Sequence, residues 1–256
     1  QMAKDYHIDD LIQIMELLRA PGGCPWDRAQ THQSIRANML EEAYEAADAI
    51  DSMDMDNLKE ELGDVLLQVV FHARMAQEAG AFTFDDVVDG ICKKLVYRHP
   101  HVFGTASAGD PEGALSAWDA QKRAEKGQRT TADAMDSVAR ALPALTRAAK
   151  LQGKAAKAGF DWRDISPAMD KLSEELEELE TAIAENTNVE EELGDLLFAA
   201  VKVGRFAGVD GETALQKACE KFIRRFRRVE ELADGPLSEL DVPALEALWE
   251  EAKKKT

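Results

Sequence analysis

The chain has 256 residues, 45% of them hydrophobic and 31% charged, with a formal net charge of −18. This is the composition of a folded chain, long enough for one large or two small domains. The acidic balance argues against a nucleic-acid polymer as partner, while a phosphate ligand stays compatible where basic side chains gather or a metal intervenes. No apolar run approaches the ~20 residues of a membrane span, and the start shows no basic-then-apolar leader. Cys24, Cys92 and Cys219 are isolated and form no CxxC. That usage fits a reducing, cytoplasmic setting rather than a disulfide frame or a zinc site.

Ile8 to Arg19 reads as a helix, with Ile8, Leu11, Ile12, Met15 and Leu18 on one stripe. Pro21 to Asp27 breaks it as a loop. Thr31 to Ile50 is the second helix, Asp54 to Asn57 the turn after it, and Asn57 with Glu60 a capping pair for the next. That helix runs to Ala79 and stops at Gly80. Thr83 with Asp86 starts another, which ends before His99-Pro100. His99 to Gly113 reads as loop, and helix resumes near Pro111 with Asp110 as cap. Residues 127–142 are expected to link an N-terminal unit, 1–126, to a C-terminal one, 143–256. Pro143 to Ala158 is helical, and Ser166-Pro167 opens the next helix. Asn186 to Asn188 is a turn in which Asn188 caps with Glu191, and the following helix ends at Gly208. Asp210 starts a long basic helix to about Leu232, and a last helix spans roughly Pro243 to Lys254. No segment alternates like a strand, so the expected fold class is all-α.

Two carboxylate patterns occur twice. Glu41-Glu42-Ala43-Tyr44-Glu45 is followed 19 positions after Glu42 by Glu61-Leu62-Gly63-Asp64. Glu174-Glu175-Leu176-Glu177-Glu178 is followed 17 positions after Glu175 by Glu192-Leu193-Gly194-Asp195. Each second pattern leads into an apolar run, each half has a Trp beside an Asp upstream, and each has Lys-x-x-x-Arg downstream. The halves therefore read as two related helical units that stack on each other or on a second chain as a four-helix bundle.

Residues three apart share a helix face. Glu175 and Glu178 point one way, as do Glu192 and Asp195, and packing the two helices antiparallel brings the four together. Glu42, Glu45, Glu61 and Asp64 repeat the arrangement. Carboxylates so gathered repel unless a cation sits among them, and oxygen-only donors select Mg²⁺, with Mn²⁺ as substitute. Acidic helices are ordinarily solvated faces. The pairing of the two patterns, its recurrence, and Gly63 and Gly194 inside helices, where glycine costs ~1 kcal/mol, favour a metal site and a close approach of backbone or ligand. Glu41 and Glu174 either orient a ligand or accept a proton from water, or else pair with a lysine at the surface. Lys217, Lys221, Arg224, Arg225, Arg227 and Arg228 form either a face of ion pairs with Glu220, Glu230 and Glu231 or a clamp on phosphate oxygens, with Lys221 and Arg225 aligned. Lys171, four before Glu175, reaches the same phosphates, and Lys94, Arg98 and His99 are the counterparts in the first half. Trp26, Trp162 and Trp249 are expected in the core by default, with stacking of one or more on a base as the alternative, for which Trp249, on a polar helix end, is the first candidate. Met15, Met39 and Met75 are core residues and His72 is structural. A di-iron carboxylate bundle would need Glu-x-x-His, which neither repeat has.

These residues resemble a known family. Glu-Glu-x-x-Glu followed by Glu-x-x-Asp is similar to the MazG nucleoside triphosphate pyrophosphohydrolases. Cys24-Pro25-Trp26-Asp27, Arg98-His99-Pro100-His101-Val102-Phe103 and Gly159-Phe160-Asp161-Trp162 extend the likeness to the two-repeat form over nearly the whole chain. The resemblance implies an all-α homodimer that depends on Mg²⁺ and cleaves ribo- and deoxyribonucleoside triphosphates to monophosphate and pyrophosphate. It carries metal ligation to Glu175, Glu178, Glu192 and Asp195, and substrate binding to Lys171, Lys221, Arg225 and Trp249. Glu42, Glu45, Glu61 and Asp64 match the same motif, but the second repeat, with its denser basic helix, is expected to be the active copy. Water attacks the α-phosphorus, activated by metal or by a glutamate such as Glu174, with no covalent nucleophile.

Overall fold

Apolar stripes at helical spacing, closed by side-chain caps, give helices throughout. The computed structural model describes residues 5–104 and 110–254. Among the described residues there are thirteen α-helices, one 3-10 turn and no strand. The chain divides by its contacts into Gln1–Lys122 and Arg123–Thr256.

The first unit contains α1 (Ile8–Arg19), α2 (Pro25–Ala29), α3 (Arg36–Ser52), α4 (Met55–Glu78), α5 (Phe84–Arg98), α6 (Pro100–Phe103) and all but the last three residues of α7 (Pro111–Glu125). Its core is Met15, Ile35, Val70, Phe71 and Met75, flanked by Leu11, Ile12, Leu18, Leu67 and Phe84. Each large side chain so buried contributes roughly 1.5–3 kcal/mol. Charged groups rim this core. Arg19 Nη2 donates to Glu78 at 2.8 Å, and Arg74 pairs with Glu78 at 2.9 Å and with Glu16 at 3.1 Å. The Arg19 guanidinium, then Arg74, hold the Glu78 carboxyl below its ordinary value against the opposing effect of burial. With Met53 in the left-handed region at φ 57°, α3 and α4 turn sharply into a hairpin.

The second unit contains α8 (Thr131–Asp136), α9 (Ala144–Lys157), α10 (Ser166–Glu185), α11 (Val189–Phe206), α12 (Gly211–Leu232) and α13 (Val242–Lys253), with the 3-10 turn at Leu237–Glu239. Here α10 and α11 form the equivalent hairpin, turned at Asn186 and Asn188, both with positive φ. The buried alanines Ala168, Ala182 and Ala199 let these two helices lie close. Gln152 Nε2 donates to the Phe198 carbonyl at 2.8 Å, fixing α9 on α11, and Glu212 accepts from the Thr146 N–H at 3.2 Å, fixing α9 to α12.

Several expectations are corrected. Pro25–Ala29 and Pro100–Phe103 are short helices, not loop; residues 105–109 of the expected 99–113 loop lie outside the described residues. Thr31 to Ile35 stays out of α3, because Thr31, Ser34 and Gln30 bond one another in a local turn. Asp54, not the Asn57–Glu60 pair, caps α4 by accepting from the N–H groups of Asp56 and Asn57. Asn188 makes no side-chain cap, since its left-handed backbone turns the amide away from that role. The stretch read as linker holds α8, which Thr130 and Asp133 cap reciprocally and which packs on α9.

Candidate active site

The α10–α11 hairpin carries the second acidic pattern. Ligand atoms of Glu175, Glu192 and Asp195 all lie within 4.8 Å of one another. Glu175 is only 6% exposed, because it sits on the α10 stripe that faces α11. Such a carboxylate needs a compensating charge. Lys171, one turn earlier, supplies it: its Nζ lies 2.8 Å from Glu175 and 2.7 Å from Glu174. These two partners hold the lysine well above its ordinary pKa. Glu178 stands at the solvent edge outside the tight trio. Burial pushes its carboxyl up, and burial with the charges of Glu175 and Glu174 outweighs Lys171, which lowers it. An open depression of about 460 Å³ runs along this edge from Glu178 and Glu192 to Glu185 and Asn188.

The α3–α4 hairpin brings Glu42, Glu45 and Glu61 equally close. Asp64 is outside that trio but acts on it: burial, then Asp64, Glu45 and Glu61, push Glu42 up. Burial, then Glu45, Asp64 and Glu60, push Glu61 up. Both repeats therefore hold three oxygen donors from two helices around one point, a donor set suited to a hard divalent cation.

Other candidates fall differently. Glu174 pairs with Lys171, the surface-pairing alternative. On α12, Lys221 is exposed and Arg225 half-exposed, while Arg228 pairs with Glu231 at 2.6 Å as the ion-pair reading anticipated. This helix packs against α11, α9 and α13. Trp249 is half-buried against Phe222, ring centroids 5.3 Å apart, between α12 and α13. Arg98 is no open clamp: it is buried, its guanidinium 5.2 Å from the centroid of Trp118. Trp26 is 59% and Trp162 42% exposed, so neither is core, and Met39 is at the surface too. His72 does play a structural part, its Nδ1 2.7 Å from Nδ1 of His32. Outside each glycine's own stretch of helix, nothing in the described chain lies within 4 Å of a Cβ built on Gly63 or Gly194, so of the two expected neighbours, backbone or ligand, no backbone is there, and open space lies beside the carboxylates.

One feature was not foreseen. Asp161, in the loop before α10, bonds both Lys202 at 2.7 Å and Arg205 on α11. Lys202 also lies 5.2 Å from the centre of the Trp162 ring. The signal was in the spacing: Lys202 follows Asp195 by seven residues, two turns along the same face. The Asp161 loop thus fixes the far end of the stripe that carries Glu192 and Asp195.

Sequence comparison finds the MazG nucleotide pyrophosphohydrolase domain twice, at residues 30–103 and 164–230. The two matches contain the two carboxylate sets, and the second also takes in Lys171, Lys221 and Arg225. The chain is 45% identical over 256 residues to the nucleoside triphosphate pyrophosphohydrolase of Escherichia coli strain K12, covering 97% of each. It is 46% identical over 248 residues to the nucleoside triphosphate pyrophosphohydrolase/pyrophosphatase MazG of Thermotoga maritima, covering 96% of this chain and 95% of that one. A 39% identity over 203 residues relates it to the nucleoside triphosphate pyrophosphohydrolase of Mycolicibacterium smegmatis, over 77% of this chain and 60% of the relative.

Proposed function

The chain belongs to the MazG nucleotide pyrophosphohydrolase family, and from that premise we propose that it hydrolyses ribo- and deoxyribonucleoside triphosphates to monophosphate and pyrophosphate at its second-repeat site. The observation that carries this reading is the trio Glu175, Glu192 and Asp195 within 4.8 Å, with Lys171 in contact. The names of the relatives above support the reaction.

Glu175, Glu192 and Asp195, with Glu178 at the edge, hold Mg²⁺, for which Mn²⁺ substitutes. Bound there, the ion supplies Lewis-acid polarisation of phosphoryl oxygen and a more acidic water. The protein's own groups do the rest. Lys171 offers its ammonium to phosphate oxygens as they approach the carboxylates. Lys221 and Arg225, on the helix beside α11, meet the leaving pyrophosphate and offset the charge that grows on it. Glu174, paired with Lys171 until that ammonium turns to phosphate, then accepts the proton of the water that attacks the α-phosphorus. Trp249 offers a ring for the base. A second copy covers the apolar residues Leu176, Ile183, Leu193, Leu197 and Phe198, all exposed on α10 and α11. No helix among the described residues is long and apolar enough to cross a membrane, and the three free cysteines suit the cytoplasm.

The test is direct. Purified protein incubated with Mg²⁺ and each ribo- and deoxyribonucleoside triphosphate should release pyrophosphate, and Glu192→Gln should stop it. Release of orthophosphate alone, or no turnover of any triphosphate, overturns the proposal.

A further inference from the structure

The two carboxylate sites differ in what neutralises them. Superposing the motifs, Glu42 on Glu175, sets Glu41 on Glu174, Glu45 on Glu178 and Asn38 on Lys171. In the second repeat, Lys171 bridges Glu174 and Glu175 at 2.7 and 2.8 Å. Asn38, half-buried at the matching turn of α3, is neutral. Among the described residues, no lysine or arginine forms an ion pair with Glu42, Glu45, Glu61 or Asp64, whereas Lys171 forms two at the second-repeat site. One site therefore carries an internal cation and the other does not.

Resting on the metal-dependent reading above, we propose that Lys171 is the built-in counter-cation of the second-repeat site, so that this site takes its divalent cation only together with a triphosphate. The first-repeat site, with Asn38 in that place, takes a divalent cation on its own. The ammonium of Lys171 and a metal ion compete for the same buried Glu175 carboxylate. A metal ion arriving alone meets a like charge 2.8 Å from its ligand, and Glu174, 2.7 Å from the same ammonium, holds that charge beside the site. A triphosphate offers that ammonium several oxygens, and so frees Glu175 as the metal arrives. The exchange couples metal and nucleotide binding in free energy, each strengthening the other. Lys171 is then a positioning residue as well as a phosphate ligand. It suppresses binding of free metal at the hydrolytic site, while the first repeat becomes a cation site that responds to the metal concentration alone.

The experiment measures Mn²⁺ binding to the full chain by calorimetry and by loss of the free-ion electron paramagnetic signal. Without nucleotide, wild type should bind one tight ion per chain, lost in Glu61→Gln and kept in Glu192→Gln. Adding an α,β-imido deoxynucleoside triphosphate should bring in a second ion, lost in Glu192→Gln. Lys171→Met and Lys171→Gln should each bind two ions without nucleotide, and Asn38→Lys should weaken the first ion at least tenfold. Wild type binding two ions, or none, without nucleotide overturns the proposal, as does a Lys171 variant that still binds one. These stoichiometries do not depend on turnover. If they hold while no triphosphate is hydrolysed, the proposed reaction fails and the metal asymmetry stands.

Discussion

Glu175→Gln isolates charge from shape. Glutamine keeps the volume of a side chain that is 6% exposed, so the packing of α10 on α11 is preserved. Two electrostatic changes oppose each other. The pair with Lys171 is lost, but Lys171 keeps Glu174 at 2.7 Å, and the repulsion from Glu192 and Asp195, within 4.8 Å, is relieved. The net effect on folding should stay within ~0.5 kcal/mol, a melting shift of about 2 °C or less. Catalysis has no such offset. One of three tightly grouped donors loses its charge, and the site loses both hold on the cation and stabilisation of the developing charge. Removing a single group of that kind typically costs 10²–10³ in kcat, which is about 3–4 kcal/mol of barrier. The assay is steady-state pyrophosphate release with Mg²⁺ and a deoxynucleoside triphosphate, alongside a thermal melt. An intact melt with kcat/KM within threefold of wild type would refute the assignment and shift the activity to Glu42, Glu45 and Glu61.

The remaining predictions concern support and clamp. Asp161→Asn leaves Lys202 and Arg205, with side chains 15% and 25% exposed, without their shared anion. The second unit should lose roughly 3 kcal/mol and melt about 10 °C lower; an unchanged melt contradicts the role given to this loop. Burial pushes the Asp161 carboxyl up, but Lys202 and Arg205 outweigh it and hold it below the usual range. Its stabilisation is thus present above the ordinary pKa of about 3.9 and lost as pH falls through the lower folded value. An acid titration of Asp161→Asn should lack that component. Burial, then His32, hold His72 below its ordinary value, so the unfolded chain takes the proton first. The first unit should be at full stability above pH ~6.5 and lose it on acidification towards the folded pKa. His72→Gln should flatten that dependence, and an identical pH profile would count against it. Lys221→Ala should raise the triphosphate KM several-fold with the melt unchanged, since Lys221 is exposed; an unaltered KM removes it from the clamp.

Much of the fold was legible because long helices announce themselves. The stripe Leu11, Ile12, Met15 and Leu18 needed only helical periodicity, and Thr83 with Asp86 marked the start of α5 as the reciprocal cap it is. Helices α2, α6 and α8, of four to six residues, are too short to show a period, and the prolines that open α2 and α6 read equally as loop. The carboxylate sites were legible because i, i+3 spacing on two linked helices leaves little freedom once the hairpin forms. Side-chain direction across a helix was not. Arg98 sits at the same spacing from Lys94 as Arg225 from Lys221, yet it is buried against Trp118, a contact between α5 and α7 that local spacing does not encode. Glu174 turned out to be tied to Lys171, where local pattern left both its readings open. Asp161 was read as part of a motif, but its bonds to Lys202 and Arg205 span more than forty positions, and only the folded hairpin reveals them.

The most direct measurement is a crystal structure of the protein with Mn²⁺ and an α,β-imido deoxynucleoside triphosphate, with the metal located by anomalous scattering. The account predicts a peak bounded by carboxylates from Glu175, Glu192 and Asp195, beside the α-phosphate, with the Lys171 ammonium moved onto phosphate oxygen. A nucleotide bound elsewhere, or a peak that none of these side chains touches, would contradict it.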